Sequence, residues 1–458
     1  MKFVHRPYQP EETIAAIATP AGEGPVAVIR ISGKETIPIT QKIFSGPVRT
    51  YKSHTVHLGK IFDADKELID EVLLVVMLAP RTYTGEDTIE IQCHGGSLVT
   101  KQVLETVLKA GARAALPGEF TLRAFMNGKL DLAQAEAVQT LISAKSQISL
   151  KAAEQQLQGA LSKQVAQFQH QLFDIAAILE AWVDFPEEGL EFASMEEVIA
   201  SLEQTLNKMI ELSKTFHYGK MIHEGISLCL AGAPNVGKSS LMNLLLGKDR
   251  AIVTDIPGTT RDTLEEELRL GGFHFRLTDT AGIRETNEVI EQEGIRRSRQ
   301  AMNDADLILL VLDASRELKE EEHSLLSEAP PEKTILIWNK IDLPHSILPI
   351  VAFEHHVPLS AKSQTGLKEL LHTIEKILWK GHPPSKEEVV ITNLRHQEAL
   401  LGAIASCQKL IHGLKQGVSP EFLSLDMRQT LQELGQIIGT DIGEDILSAI
   451  FSKFCVGK

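Results

Sequence analysis

The segment Gly232-Ala233-Pro234-Asn235-Val236-Gly237-Lys238-Ser239 follows an apolar run, Ile226–Leu230, and leads into Leu241-Met242-Asn243-Leu244-Leu245, an evident helix start. A glycine-rich loop between a buried strand and a helix commits this part of the chain to an α/β sheet that cradles phosphate. The glycines let the backbone wrap around phosphate oxygens, while N–H groups and the helix N-terminus face the negative charge. In such a loop Lys238 bridges the β- and γ-phosphates and the Ser239 hydroxyl ligates Mg2+. Gly232, Asn235, Val236, Gly237, Lys238, Ser239 and Ser240 are therefore the candidate phosphate-side residues.

Further segments complete a nucleotide reading. Asp279-Thr280-Ala281-Gly282 ends the next core strand, where a carboxylate can hold the metal through water and a glycine N–H can sense the γ-phosphate. Asn339-Lys340-Ile341-Asp342 follows the apolar run Thr334–Trp338, and Asp342 can accept from the guanine ring N–H and exocyclic amine, a donor pair adenine lacks. Ser360-Ala361-Lys362 offers a backbone N–H to the guanine carbonyl oxygen. With Gly258-Thr259-Thr260-Arg261-Asp262 as a switch segment, the ordered motifs define a GTPase that takes GTP with Mg2+. Hydrolysis departs from the Ras pattern, because Ile283 stands where Gln would orient the attacking water. Glu285, Glu288, Glu291 and Glu293 are the candidates for that task, against the blander reading of a solvated acidic face. The Asn235 amide oxygen can ligate a monovalent cation that supplies the charge of an arginine finger; the alternative is a simple loop hydrogen bond.

A phosphate-binding domain accounts for part of the 458 residues, and a chain this long exceeds one core. Strand-like runs such as Val26–Ile31 and Glu71–Met77, broken by turn signals, predict an α/β domain over 1–125. Over 126–221 the apolar positions Leu150, Leu157, Leu161, Val165, Phe168, Leu172, Ile175, Leu179 and Trp182 predict one long amphipathic helix of roughly 50 Å, ending near Pro186. Strand runs Ile226–Leu230, Phe273–Thr278, Leu307–Asp313 and Thr334–Trp338 alternate with helical stretches over 222–380, predicting a parallel sheet. Residues 381–458 read as helical again. Helical segments thus flank an inserted α/β domain, and burial of their apolar faces predicts that they pack on each other as one discontinuous helical domain.

The net charge of −15 excludes a nucleic acid or membrane held by overall charge, so an RNA partner needs a local patch or a second protein. No apolar run approaches the roughly 18 residues of a membrane span. The N-terminus lacks a signal core, and four scattered cysteines fit a reducing cytosol, so a cytoplasmic location is expected. Cys93, Cys229 and Cys407 read as core.

Across its whole length the chain resembles the bacterial and organellar tRNA modification GTPase family MnmE, or TrmE. The resemblance rests on Thr19-Pro20 with Val28-Ile29-Arg30-Ile31-Ser32-Gly33, Tyr83-Thr84-Gly85-Glu86-Asp87 and Cys93-His94-Gly95-Gly96. It extends through Pro117-Gly118-Glu119-Phe120, the run Lys129–Ala137, the GTPase set and Phe454-Cys455-Val456-Gly457-Lys458, where Val456 replaces the commoner Ile. It implies a multidomain α/β plus all-α architecture: an N-terminal folate-binding and dimerising α/β domain, a discontinuous helical domain, and an inserted Ras-like P-loop GTPase domain. It maps folate contacts to Arg30, Glu90, Lys129 and Lys458, a reading that suits the pterin's N–H donors and the folate tail's carboxylates. K+ ligation maps to Asn235, Thr254, Ile256 and Thr259, Mg2+ to Ser239 and Thr260, and the water-orienting acid to Glu291. Cys455, in the C-x-G-K terminus, is read either as nucleophile or base in the folate cleft, or as a space-filler under the terminal turn.

What the resemblance implies is a homodimer whose GTPase domains meet around K+ during hydrolysis. With the flavoprotein partner GidA (MnmG), which carries FAD, it would place a (carboxymethyl)aminomethyl group on carbon 5 of the wobble uridine of certain tRNAs, taking carbon from 5-formyltetrahydrofolate or a related folate. The competing reading is a GTP-controlled ribosome or RNP assembly switch without modification chemistry. The N-terminal domain and the Cys455–Lys458 terminus separate the two, since a switch has no need of a folate pocket.

Overall fold

The computed structural model describes residues 11–184, 194–248, 267–278, 300–344, 353–379, 388–440 and 442–457. Their contacts divide the chain into two compact units: Met1–Gln139 with Gln156–Met195 and Lys409–Lys458, and Thr140–Gln155 with Glu196–Gln408.

The first unit holds a sheet of β1 (Ile14–Ile17), β2 (Gly24–Ser32), β3 (Thr55–Phe62), β4 (Leu68–Met77), β5 (Thr88–Gly95) and β6 (Arg113–Ala114) in the order β3-β4-β5-β2-β1-β6. It is antiparallel except where β1 meets β6. Period-two alternation sets its faces. Ile89, Ile91 and Cys93 of β5 enter a core with Ile29 and Ile31 of β2, Ile39 and Ile43 of the helix Thr36–Ile43, and Val103 and Val107 of the helix Ser97–Lys109. Glu90, Gln92 and His94 alternate onto the opposite face.

In the same unit the helix Ala160–Asp184 packs against Pro420–Ile438, so chain from either side of the GTPase insert does come together. Its buried seam is Leu161, Val165, Phe168, Leu172, Ile175 and Leu179. The expected single long helix is broken: Gln147–Leu157 ends before Ala160, and Gly159 has φ +81°. Leu150 is exposed and outside the seam. The apolar spacing carried across the break, whereas a left-handed backbone that favours glycine marks it. Pro186 lies outside the described residues. A small core of Leu132, Ala135, Phe451 and Phe454 fixes the chain's last helix, Glu444–Phe451, beside Glu119–Met126.

The second unit holds β7 (Ile226–Ala231), β8 (Glu267–Leu270), β9 (Phe273–Thr278), β10 (Leu307–Asp313), β11 (Thr334–Asn339) and β12 (His356–Pro358), ordered β12-β11-β10-β7-β9-β8. All neighbours are parallel except β8 with β9, an antiparallel edge that the parallel-sheet expectation missed. Every residue of β10 and β11 is buried, as a strand covered on both faces requires. Chain from both sides of the insert meets here too, with the Ile391 N–H donating to Thr215 Oγ1. Among the described residues no helix is long and apolar enough to cross a membrane, and no cluster of His, Cys, Asp and Glu could hold a metal ion. Cys93, Cys229 and Cys407 are buried, as read, and Cys455 is exposed.

Candidate functional sites

In the second unit the chain builds β8 and β9 on one side of β7 and then β10 to β12 on the other. The strand order reverses at β7, the point at which open α/β sheets take their ligands beyond the carboxyl ends of the strands. The glycine-rich loop leaves β7 at that point and enters the helix Lys238–Lys248. Gly232 has φ +147°, and a Cβ there would collide with the Val311 carbonyl of β10. Asn235 also takes a positive φ, +66°. Lys238 Nζ donates to the carbonyls of Gly232 (2.8 Å) and Ala233 (2.9 Å), closing the loop on itself, and burial pushes its ammonium below the usual lysine range.

Asn339 ties the remote motifs together. Its Nδ2 donates to the Val236 carbonyl (2.8 Å), and its Oδ1 accepts from the Ala361 N–H (3.1 Å). Lys340 Nζ donates to the Asn235 carbonyl (2.8 Å) and to Asp313 Oδ2 (2.7 Å). Ser360 Oγ donates to Asp342 Oδ1 (2.7 Å), orienting the carboxylate read as the base selector, and Lys362 is exposed nearby in sequence. Asp313 was not singled out from sequence, although a carboxylate ending an otherwise apolar strand was its signal. Burial pushes its carboxyl up, but bonds from Lys340 and Ser315 outweigh this and hold it below the usual range. Ser239 and Ser240 stand in the first turn of the helix with exposed positions. Thr254, Ile256, Thr259, Thr260, Asp279, Thr280, Ala281, Gly282 and all four candidate glutamates, Glu291 included, lie outside the described residues, as does Lys458.

A second constellation lies in the first unit. Arg30 and Glu90 are direct partners across β2 and β5. Arg30 Nε donates to Glu90 Oε1 (2.9 Å) and its Nη2 lies 2.8 Å from the same oxygen, while Nη1 donates to the Gly457 carbonyl (3.1 Å). The guanidinium also lies 5.7 Å from the centre of the Phe120 ring and 6.0 Å from that of Tyr83. Tyr83 is held by a hydroxyl contact with Thr121 (2.9 Å), and burial pushes its phenol up. The Gly118 N–H donates to the Cys455 carbonyl (3.3 Å), and a Cβ on Gly457, at φ +94°, would collide with the Ile17 carbonyl. These contacts bring Gly457 to the Arg30 pair, with Cys455 two residues before it against Gly118. Lys129 is exposed beside Gly85, in the loop that carries Tyr83.

Behind this cleft is a buried charge network the sequence reading did not assign. Arg123 is fully buried and meets Glu86 (2.9 Å) and Glu119 (3.2 Å), and Glu119 also takes Arg113 (2.6 Å) and the Leu116 N–H (2.8 Å). Burial pushes the Glu119 carboxyl up, but Arg113, the Leu116 N–H and Arg123 outweigh that and hold it below the usual range. Glu86 and Glu119 sit in motifs quoted above, but nothing local predicted a shared arginine. The network joins Glu86, in the Tyr83 loop, to Glu119, in the helix that carries Phe120, on either side of Arg30.

Comparison with known proteins bears on both sites. A family model described as the MnmE helical domain matches residues 132–455, and one described as the GTP-binding protein TrmE N-terminus matches residues 13–129. Proteins called tRNA modification GTPase MnmE are similar over full length. The one from Protochlamydia amoebophila (strain UWE25) is 63% identical over 458 residues, 100% of both chains. Those from Acetivibrio thermocellus and Thermoanaerobacter pseudethanolicus are 42% and 41% identical, each covering 98% of this chain and 99% of the relative.

Proposed function

The chain belongs to the tRNA modification GTPase MnmE (TrmE) family and is a GTP-hydrolysing enzyme of tRNA modification, and we propose that it joins a GTP-driven unit to a separate one-carbon site. In this reading Lys238 and the loop around it hold the phosphates, Asp342 with Ser360 and Ala361 reads guanine, and Asn339 keeps the two halves of the pocket in register. Ser239 and Thr260 would hold Mg2+, and Asn235 with Thr254, Ile256 and Thr259 would hold K+. These ions supply charge stabilisation at the developing phosphate oxygens. Asn235 and Ser239 are exposed and carry neutral oxygen donors, which suits that ligand set. Glu291 would orient the attacking water.

The Arg30–Glu90 pair is the observation that carries the one-carbon reading. Both of its contacts use Glu90 Oε1, leaving Oε2 to accept from a pterin's amine and ring N–H donors. Lys129 and Lys458 would meet the folate tail, and the exposure of Cys455 supports a reactive thiol over a space-filler. The substrate is tRNA. The carbon would go from 5-formyltetrahydrofolate to C5 of the wobble uridine with the flavoprotein partner GidA (MnmG) supplying FAD. Exposed Val56 and Leu58 on the outer side of β3 support a homodimer through the N-terminal domain. The domains proposed are 1–125, 126–221, 222–380 and 381–458. Calorimetry with 5-formyltetrahydrofolate tests the reading: wild type binds and Arg30→Ala loses at least about tenfold in affinity. Wild type without binding would favour an assembly switch instead.

A further inference from the structure

Among the described residues five that are not glycine take a positive φ, and two of them, Asn235 and Lys340 (both +66°), are joined directly by the bond from Lys340 Nζ to the Asn235 carbonyl (2.8 Å). Left-handed backbone outside glycine persists where the surrounding structure over-determines it. Here the third member is Asp313, whose side chain is 6% exposed. Its Oδ2 accepts from Lys340 Nζ (2.7 Å), and its Oδ1 accepts from the Ser315 N–H (3.0 Å) and the Ser315 hydroxyl (2.7 Å). Arg316 Nε lies 3.6 Å from Oδ2, but the Arg316 guanidinium is forked onto Glu322 (2.8 and 3.0 Å). Lys340 is therefore the cation that Asp313 holds. A long, flexible ammonium gripped between a fixed carboxylate and a carbonyl has one working position.

Strand register shows what that position is for. Asp313 and Asn339 are partners at the carboxyl ends of the parallel strands β10 and β11, and the Ala314 N–H donates to the Asn339 carbonyl (2.9 Å). From these two ends the sheet grips successive peptides of the phosphate loop. Asn339 Nδ2 takes the Val236 carbonyl, and Asp313, through Lys340, takes the Asn235 carbonyl. In a planar trans peptide the carbonyl and the next residue's N–H point opposite ways. Drawing both carbonyls toward the strand ends turns the N–H groups of Val236 and Gly237 away from the strands, and outward N–H groups are what a loop needs to hold phosphate. Asn339 makes its bond with its own side chain, whereas the Asn235 peptide is held through a lysine whose aim depends on Asp313.

We propose that Asp313 is a positioning residue for nucleotide binding: by fixing Lys340 it sets the Asn235–Val236 peptide of the phosphate loop, and so it acts on the phosphates and not on the base. This rests on the phosphate-loop reading above. Base selection is held separately, since Asp342 takes its bond from Ser360. An ion pair kept for stability alone would leave nucleotide affinity untouched.

The test titrates the full chain with guanosine diphosphate and with inosine diphosphate, whose base lacks the exocyclic amine that Asp342 accepts. Asp313→Asn should weaken guanosine diphosphate about tenfold, as expected for a hydrogen bond to a charged group, and keep the preference for guanosine over inosine within about twofold of wild type. Lys340→Ala should weaken binding by at least as much, and adding Asp313→Asn to it should cost nothing further, the mark of a residue that acts through the lysine. Ser315→Ala, which takes one donor from Oδ1 and keeps the carboxylate, should cost about threefold; it decides the matter should Asp313→Asn fail to fold. Unchanged diphosphate affinity in Asp313→Asn or Ser315→Ala, an altered preference between the two bases, or a full further loss in the Lys340→Ala background would each overturn the proposal. Wild-type diphosphate affinity in Lys238→Ala would instead sink the phosphate-loop reading beneath it.

Discussion

Lys238 reaches the carbonyls of Gly232 and Ala233, six and five residues before it, whereas Arg30 reaches the carbonyl of Gly457, 427 residues away. The nucleotide site is made of short loops, each completed by its own backbone and then linked through Asn339. The Arg30 cleft is made of single residues from a sheet, a loop, a helix and the chain's last turn. A site of the first kind fails by losing one interaction; a site of the second kind depends on whatever holds its distant parts together.

Disrupting the support of the cleft should therefore have the largest effect. Arg123→Ala removes the arginine that Glu86 and Glu119 share and leaves Glu86, in the buried site, without its cationic partner, a loss of about 3 kcal/mol, read as a lower denaturation midpoint for the first unit. The transition of the second unit should not move. The same network has a pH signature. Glu119 in the folded state holds its proton less readily than in the unfolded chain, so its stabilisation is present at neutral pH and is lost as pH falls below about 4. Thermal melts of Glu119→Gln should start lower and lose less on acidification than those of wild type.

Lys238→Ala comes next. Phosphate release should fall about a hundredfold to a thousandfold, with 5-formyltetrahydrofolate binding untouched. A fall in both would show that the two sites are not built independently. Asp342→Asn should cost about ten- to a hundredfold in GTP affinity, as expected for one hydrogen-bonded charge, measured by nucleotide titration. Smallest is a contrast among thiols. Burial pushes Cys407 up to about 12, so at pH 8 iodoacetamide should label Cys455 in the native protein and spare Cys407 until denaturant is added.

The same contrast sets what the sequence could reveal. The nucleotide motifs were legible because strand, loop and helix start are contiguous, and the apolar runs of β7, β10 and β11 fall where they were expected. Asp313 and the antiparallel β8 were missed, since a strand-ending carboxylate and a four-residue edge strand carry little local pattern. The helix break at Gly159 was hidden because apolar spacing on both sides continues the same rhythm. In the first unit, Arg30, Glu90 and Cys455 were reachable through family resemblance alone. The pairing of Arg123 with both Glu86 and Glu119, and of His94 with Asp70, depends on strand register and helix docking that no short window encodes.

The central claim is that GTP hydrolysis in one unit serves carbon transfer in the other, onto the wobble uridine. Nucleoside mass spectrometry of tRNA from cells lacking this chain, complemented with wild type or with Arg30→Ala, measures it directly. The account predicts that the (carboxymethyl)aminomethyl group at C5 disappears without the chain, returns with wild type, and stays absent with Arg30→Ala although GTP turnover is normal. Wobble uridines that remain fully modified in the deletion strain would contradict it.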